Sequence, residues 1–169
     1  MDEEFWDIYD ANRNKTGRVH RRGDPLPPGD YHLVVHVWIL NSRGEFLITQ
    51  RAPGKTYPLM WECTGGSAFV GEDSLTAALR EAKEETGITL RPENGELVTV
   101  LHREDDFADV WLFRQDVVLA DFVPQPAETI AARLAGPEEI LRMMDAGMFF
   151  RHLFTQALLE RTMEERTRR

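Results

Sequence analysis

The chain has one cysteine, Cys63, among 169 residues, so no intrachain disulfide can form. It lacks a basic excess. The formal net charge is -9, which argues against a general binder of the nucleic-acid backbone, a role that needs a basic face. A phosphorylated small molecule stays admissible, because a bound metal reverses the local sign. No apolar run reaches the length of a membrane span, and the longest, Leu33 to Leu40, is interrupted by His36. The acidic start Met1-Asp-Glu-Glu-Phe-Trp6 is not a basic-then-apolar leader. Internal repeats and low-complexity segments are also missing. These absences predict a cytoplasmic protein that does not enter membranes. An apolar fraction of 42% and a charged fraction of 29% fit one globular domain with a real core.

In chain order, residues 1–30 read as an appended N-terminal arm. A small strand and turn are expected over Asp7–Gly17, a second short strand at Val19–Arg22, and a proline-rich linker at Asp24–Asp30. Residues 31–169 read as the main domain. Tyr31–Leu40 and Glu45–Arg51 form a hairpin across the turn Asn41–Gly44. Residues 73–87 form a helix, capped by Asp73 or Ser74 and stopped by Gly87, with Leu75, Ala78, Leu79 and Ala82 as its buried stripe. Glu96–Arg103, Val110–Leu119 and Thr129–Leu134 read as strands. Gly136-Pro-Glu-Glu opens a helix to about Ala146, and Phe149–Arg169 reads as a long terminal helix. This order predicts an α/β fold, an αβα sandwich around a mixed β-sheet with a C-terminal helical extension.

The chemistry concentrates between Gly66 and Ile88. Glu81, Glu84 and Glu85 are three and four residues apart, so they share one helix face. Carboxylates this close repel unless something neutralises them. Oxygen donors of this kind suit Mg²⁺ or Mn²⁺. Arg80 has a natural partner in Glu72, which would fix the loop to the helix. Gly65 and Gly66 let backbone approach a metal or phosphate closely. Taken alone, a glutamate-rich helix end is a solvated face. The offsets of Gly66, Glu72, Arg80 and Gly87 argue otherwise.

Those offsets resemble the Nudix box, Gly-x5-Glu-x7-Arg-Glu-U-x-Glu-Glu-x-Gly-U, where U is a bulky apolar residue. Gly66, Glu72, Arg80, Glu81, Glu84, Glu85, Gly87 and Ile88 match it, and Ala82 is smaller than the usual U. The resemblance implies a Nudix fold and a Mg²⁺- or Mn²⁺-dependent hydrolase that cleaves a diphosphate linkage. It implies metal binding by Glu81, Glu84 and Glu85 with the Gly66 carbonyl, and structural roles for Glu72, Arg80 and Gly87. The general base is Glu84, Glu85 or an acid from a later loop, for which Glu128 is the candidate.

Three residues outside the box are candidates for substrate binding: Arg51, Lys55 and Trp61. Arg51 offers two donors to a phosphate, Lys55 lies in the following loop, and Trp61 can stack on a base. Read singly, the first two are ordinary surface groups and Trp61 is a core residue. Asp105, Asp106 and Asp109 form an acidic cluster that suits a solvated turn or a further ligand set. His32 and His36 lie on one strand face and can form a metal pair.

Tyr9-Asp10, Thr16-Gly17 and His32-Leu-Val-Val-His-Val-Trp38 also resemble Nudix proteins related to type I isopentenyl-diphosphate isomerase. In those isomerases a catalytic cysteine follows the Trp61-like position. Here that position appears as Gly65, and Cys63 reads as a small buried hydrophobe. Two alternatives therefore stand beside the hydrolase: an isomerase-like enzyme, and a non-catalytic module that binds a nucleotide or a protein. The expected partner is a small-molecule diphosphate. Phe149, Phe150, Leu153 and Phe154 suit either a homodimer contact or a cap on the chain's own sheet.

Overall fold

Strand β3 (His32–Leu40) is apolar along nearly its whole length because both of its faces are covered. Leu33, Val35, Val37 and Ile39 point to one layer, and Trp38 and Leu40 to the other. The first layer is α1 (Ser74–Thr86), which contributes Ala77, Ala78 and Ala82. The second is built from α2 (Pro137–Asp145) and α3 (Thr155–Thr167), with Ile140, Met143, Leu158 and Leu159. The computed structural model describes residues 3–168, and these form an α-β-α arrangement as expected.

The remaining strands are β1 (Phe5–Tyr9), β2 (Lys15–Arg21), β4 (Phe46–Arg51), β5 (Trp61–Glu62), β6 (Thr64–Ser67), β7 (Gly95–His102), β8 (Asp106–Arg114) and β9 (Thr129–Ala135). The main sheet runs β5-β4-β3-β8-β7, with β6 on β3 and β9 on β4. β3 and β8 are parallel and the other pairs are antiparallel, so the sheet is mixed.

The arm is a hairpin of β1 and β2, longer at both strands than the sequence suggested. It joins the main body through reciprocal backbone bonds between Tyr9 and Tyr31. Arg13 also forms a two-pronged ion pair with Asp109, whose side chain is 0% exposed.

Two boundaries differ from expectation. β8 starts at Asp106 and ends at Arg114, not Val110 to Leu119. Arg103 neutralises Asp106 and Arg13 neutralises Asp109, so Phe107 and Ala108 can be buried beside Leu33 and Val34. The three aspartates are therefore not one solvated or metal-binding cluster. The terminal helix begins at Thr155, not Phe149. Phe149 instead forms a bridge with Trp61, the Phe150 amide donates to the Trp61 carbonyl at 2.7 Å, and the chain turns at residues 153–154 before the helix starts. Arg169, the expected end of that helix, lies outside the described residues. Phe149 and Phe154 cap the chain's own sheet, and Leu153 is the exposed one of the group, at 85%. No described helix is long and apolar enough to cross a membrane.

Candidate active site

Helix α1 starts where the Asp73 carboxylate accepts the Thr76 amide at 2.7 Å. It stops at Gly87, which takes a left-handed φ of 74° and donates its N–H to the Lys83 carbonyl. A Cβ at Gly87 would also lie 2.9 Å from Val123 Cβ, so both backbone and space demand glycine.

Between these ends, Arg80 organises the acids. Its Nε and Nη2 donate to the two Glu72 oxygens at 2.7 and 2.9 Å. Its Nη1 donates to Glu81 at 2.9 Å and to Glu84 at 3.0 Å. Nη2 also reaches the Ser67 carbonyl at 2.9 Å, and the guanidinium lies 3.8 Å from the Phe69 ring centre. Glu72 accepts the Phe69 amide at 2.8 Å. The loop before α1 is thereby locked to the helix. Burial pushes the Glu72 carboxyl up, but Arg80 and the Phe69 amide outweigh it and hold the group below its ordinary range.

The three box glutamates are not equivalent. Glu84 is 45% exposed at its side chain, whereas Glu81 and Glu85 are buried. Glu81 lies against Gly66, where a Cβ would come within 2.6 Å of Glu81 Cδ. Burial pushes the Glu81 carboxyl up against the pull of Arg80. Glu85 accepts the Thr64 hydroxyl and the Gly65 amide. Burial drives Glu85 up to about 7, although Thr64 and Lys55 oppose it.

Lys55, in the loop between β4 and β5, reaches the same place. Its ammonium ion-pairs with Glu128 and lies 3.8 Å from Glu85 Oε1. The fold thus gathers Lys55, Glu84, Glu85 and Glu128 from distant parts of the chain. Arg51 and Trp61 are used differently. Arg51 is bound to Glu62 at 2.6 Å and to the Thr56 carbonyl at 2.7 Å, so its guanidinium braces its own loop. Trp61 packs on the α2–α3 side, under Arg133 at 5.0 Å.

A cleft of about 930 Å³ opens between the arm and the box. Glu84, Glu128, Phe69, Phe5, Arg21 and Arg22 line it. The arm residues were not identified from sequence. They become visible only when the hairpin folds back over the box loop, where the Val70 amide donates to the Phe5 carbonyl at 2.9 Å.

The donor set fits a hard divalent cation. Glu81 and Glu85 are buried carboxylates whose ionised forms are disfavoured, and a nearby cation relieves that penalty. All the side-chain donors are oxygens, as Mg²⁺ and Mn²⁺ require.

A model of the NUDIX domain family matches residues 30–156, which include every box residue described above. This chain belongs to the Nudix hydrolase family. As such it is an enzyme of the pyrophosphohydrolase kind. It is 38% identical over 157 residues to the uncharacterized Nudix hydrolase lmo0368 of Listeria monocytogenes, covering 92% of this chain and 93% of that one. It is 31% identical over 145 residues to an isopentenyl-diphosphate Delta-isomerase of Streptomyces coelicolor, covering 79% and 72% respectively. The crystal structure of DR0079 from Deinococcus radiodurans has the same fold, with a TM-score of 0.74 at 23% identity over 94% of this chain and 99% of that one.

Proposed function

We propose that this Nudix hydrolase cleaves the diphosphate linkage of a nucleoside diphosphate-type or other organic diphosphate, with Mg²⁺ or Mn²⁺ as cofactor. The observation that carries this reading is the set of ion pairs that ties Glu81 and Glu84 to Arg80 and Glu85 and Glu128 to Lys55, with Glu84 and Glu128 lining an open cleft. Glu81, Glu84 and Glu85, with the Gly66 carbonyl, would hold the metal. When bound, it supplies charge neutralisation to the diphosphate.

The chain's own residues do the rest. Glu84 lines the cleft, and we assign it the proton of the attacking water. Glu85 is buried behind it and tunes the field at the site. Glu128, held by Lys55, also lines the cleft, and we assign it as the second candidate for that proton. Lys55 is the cation that meets substrate phosphate, and Arg51 positions its loop through Glu62. Glu72 and Arg80 keep the loop and helix in register so that these groups need no rearrangement. The single free, buried cysteine agrees with a cytoplasmic enzyme. A homodimer would use Leu153, the exposed apolar residue just before the terminal helix.

Isomerase chemistry is disfavoured by Cys63. It lies in the core on the sheet face away from α1, and burial pushes its thiol well above the ordinary range. The decisive experiment is Glu84→Gln, assayed against a panel of organic diphosphates with Mg²⁺ and Mn²⁺. Phosphate-containing product should vanish while circular dichroism and melting stay native. Undiminished turnover in that variant would overturn the proposal.

A further inference from the structure

His36, Cys63 and His152 meet on the sheet face opposite α1, and the hydrolysis described above uses none of them. In the β3–β6 ladder His36 pairs with Gly65. Cys63, two residues before Gly65, projects from the same face and packs with Trp38. His152 arrives from the 149–154 segment, with its ring centre 4.1 Å from that of His36. One donor atom from each of the three side chains lies within 4.8 Å of the others. Among the described residues, His36 Nε2 is buried without a hydrogen-bond partner, and Cys63 is a free, buried thiol. A core needing only volume would hold an apolar side chain at position 36, because an orphaned buried nitrogen is unfavourable.

We propose that His36, Cys63 and His152 form a Zn²⁺ site distinct from the carboxylate cluster of the box. Two imidazoles and a thiolate are borderline-to-soft donors that select Zn²⁺ over Mg²⁺. Oxygen donors of the box select the reverse, so the two sites sort the cations between them. Zn²⁺ takes four ligands, and His152 is only partly buried, which leaves a path for water in the fourth position. Burial already keeps both imidazoles neutral and ready to coordinate. On binding, the Cys63 S–H bond breaks, the sulfur pair goes to the metal and the proton leaves to solvent, with no change of oxidation state. Glu62 and Glu85 supply a negative field near Cys63, which offsets the positive field of Arg51 and Arg103 near the histidines.

The site would fasten the 149–154 segment to the sheet. Phe150 in that segment packs against His152 at 4.7 Å and Tyr57 at 4.9 Å, and it sits beneath Arg51 at 5.6 Å. Tyr57 and Arg51 in turn flank Lys55. A metal here would therefore stiffen the loop that carries Lys55.

The test uses the full chain, stripped with chelator and titrated with Co²⁺ as a spectroscopic substitute for Zn²⁺. A thiolate-to-cobalt charge-transfer band should appear in the near ultraviolet at one equivalent and disappear when Zn²⁺ is added. Zn²⁺ should also raise the melting temperature. Cys63→Ser should lose the band. His152→Asn, on a partly exposed segment where folding should survive, should lose the tetrahedral visible bands. Glu81→Gln should keep both, which separates this site from the box. Absence of the charge-transfer band in the native protein, or its survival in Cys63→Ser, would overturn the proposal.

Discussion

The Lys55 ammonium lies 3.8 Å from Glu85 Oε1 while it ion-pairs with Glu128, so one side chain joins helix α1 to the lead-in of β9. Lys55 lowers the Glu85 pKa against the larger effect of burial. Lys55→Ala should therefore move the acidic limb of the pH–rate profile to higher pH. It should also raise KM about tenfold, the scale of one lost charge-assisted contact. Steady-state kinetics across pH tests both, and an unmoved acidic limb would show that Lys55 does not act through Glu85.

Glu85 itself sets a pH dependence in chelator-treated protein. Its carboxyl is raised from 4.5 to about 7, so the folded state retains a proton that the unfolded chain releases. The associated stability is complete below about 4.5 and is lost as pH rises through about 7. Melting temperature without metal should fall across that window, and Mg²⁺ should restore it. Below pH 7, Mg²⁺ binding should release protons, seen as a buffer-dependent heat in calorimetry. A heat independent of buffer would contradict the assignment.

Gly66→Ala isolates the contact between the box loop and α1. The new Cβ would meet Glu81 Cδ at 2.6 Å, so the carboxylate must swing away. Metal affinity should drop by about tenfold or more, as it does when ligand orientation is lost. Folding should be little affected, because the atoms met are the far end of the flexible Glu81 side chain and not backbone. A metal titration at constant melting temperature measures this.

Arg13→Ala probes the arm. It strands the Asp109 carboxylate, whose side chain is 0% exposed. Arg13 is itself 31% exposed, and screening reduces the expected loss to about 2 kcal/mol. Urea unfolding reads that loss. Adding Asp109→Asn should recover much of it, since a neutral amide is easier to bury than an unpaired charge.

Much of the candidate site's geometry is legible in the sequence because its logic is local. Glu72, Arg80, Glu81, Glu84 and Glu85 belong to one loop and one helix, so their mutual placement follows from helix periodicity and the caps at Asp73 and Gly87. The exposed Glu84 and buried Glu81 and Glu85 were not separable by spacing. Which of them faces water depends on Gly66, Thr64 and Lys55, all outside the helix. The start of β8 was misplaced for a similar reason. Glu104-Asp105-Asp106 reads as a turn until Arg103 and Arg13 supply the positive charge that lets Asp106 and Asp109 enter the sheet.

His32 and His36 show the limit most clearly. Period-two alternation puts both on one face of β3. Yet they do not act as a pair: His32 stacks on Trp6 at 3.9 Å, and His36 joins Cys63 and His152. The order of strands and helices and the box with its carboxylates can be read from the chain, because period, caps and offsets are local features. It takes the folded chain to bring Lys55 to both Glu85 and Glu128, to set the arm along the cleft, and to join His36 with Cys63 and His152. Each of those contacts joins residues far apart in the chain, and sheet register and loop closure bring them together.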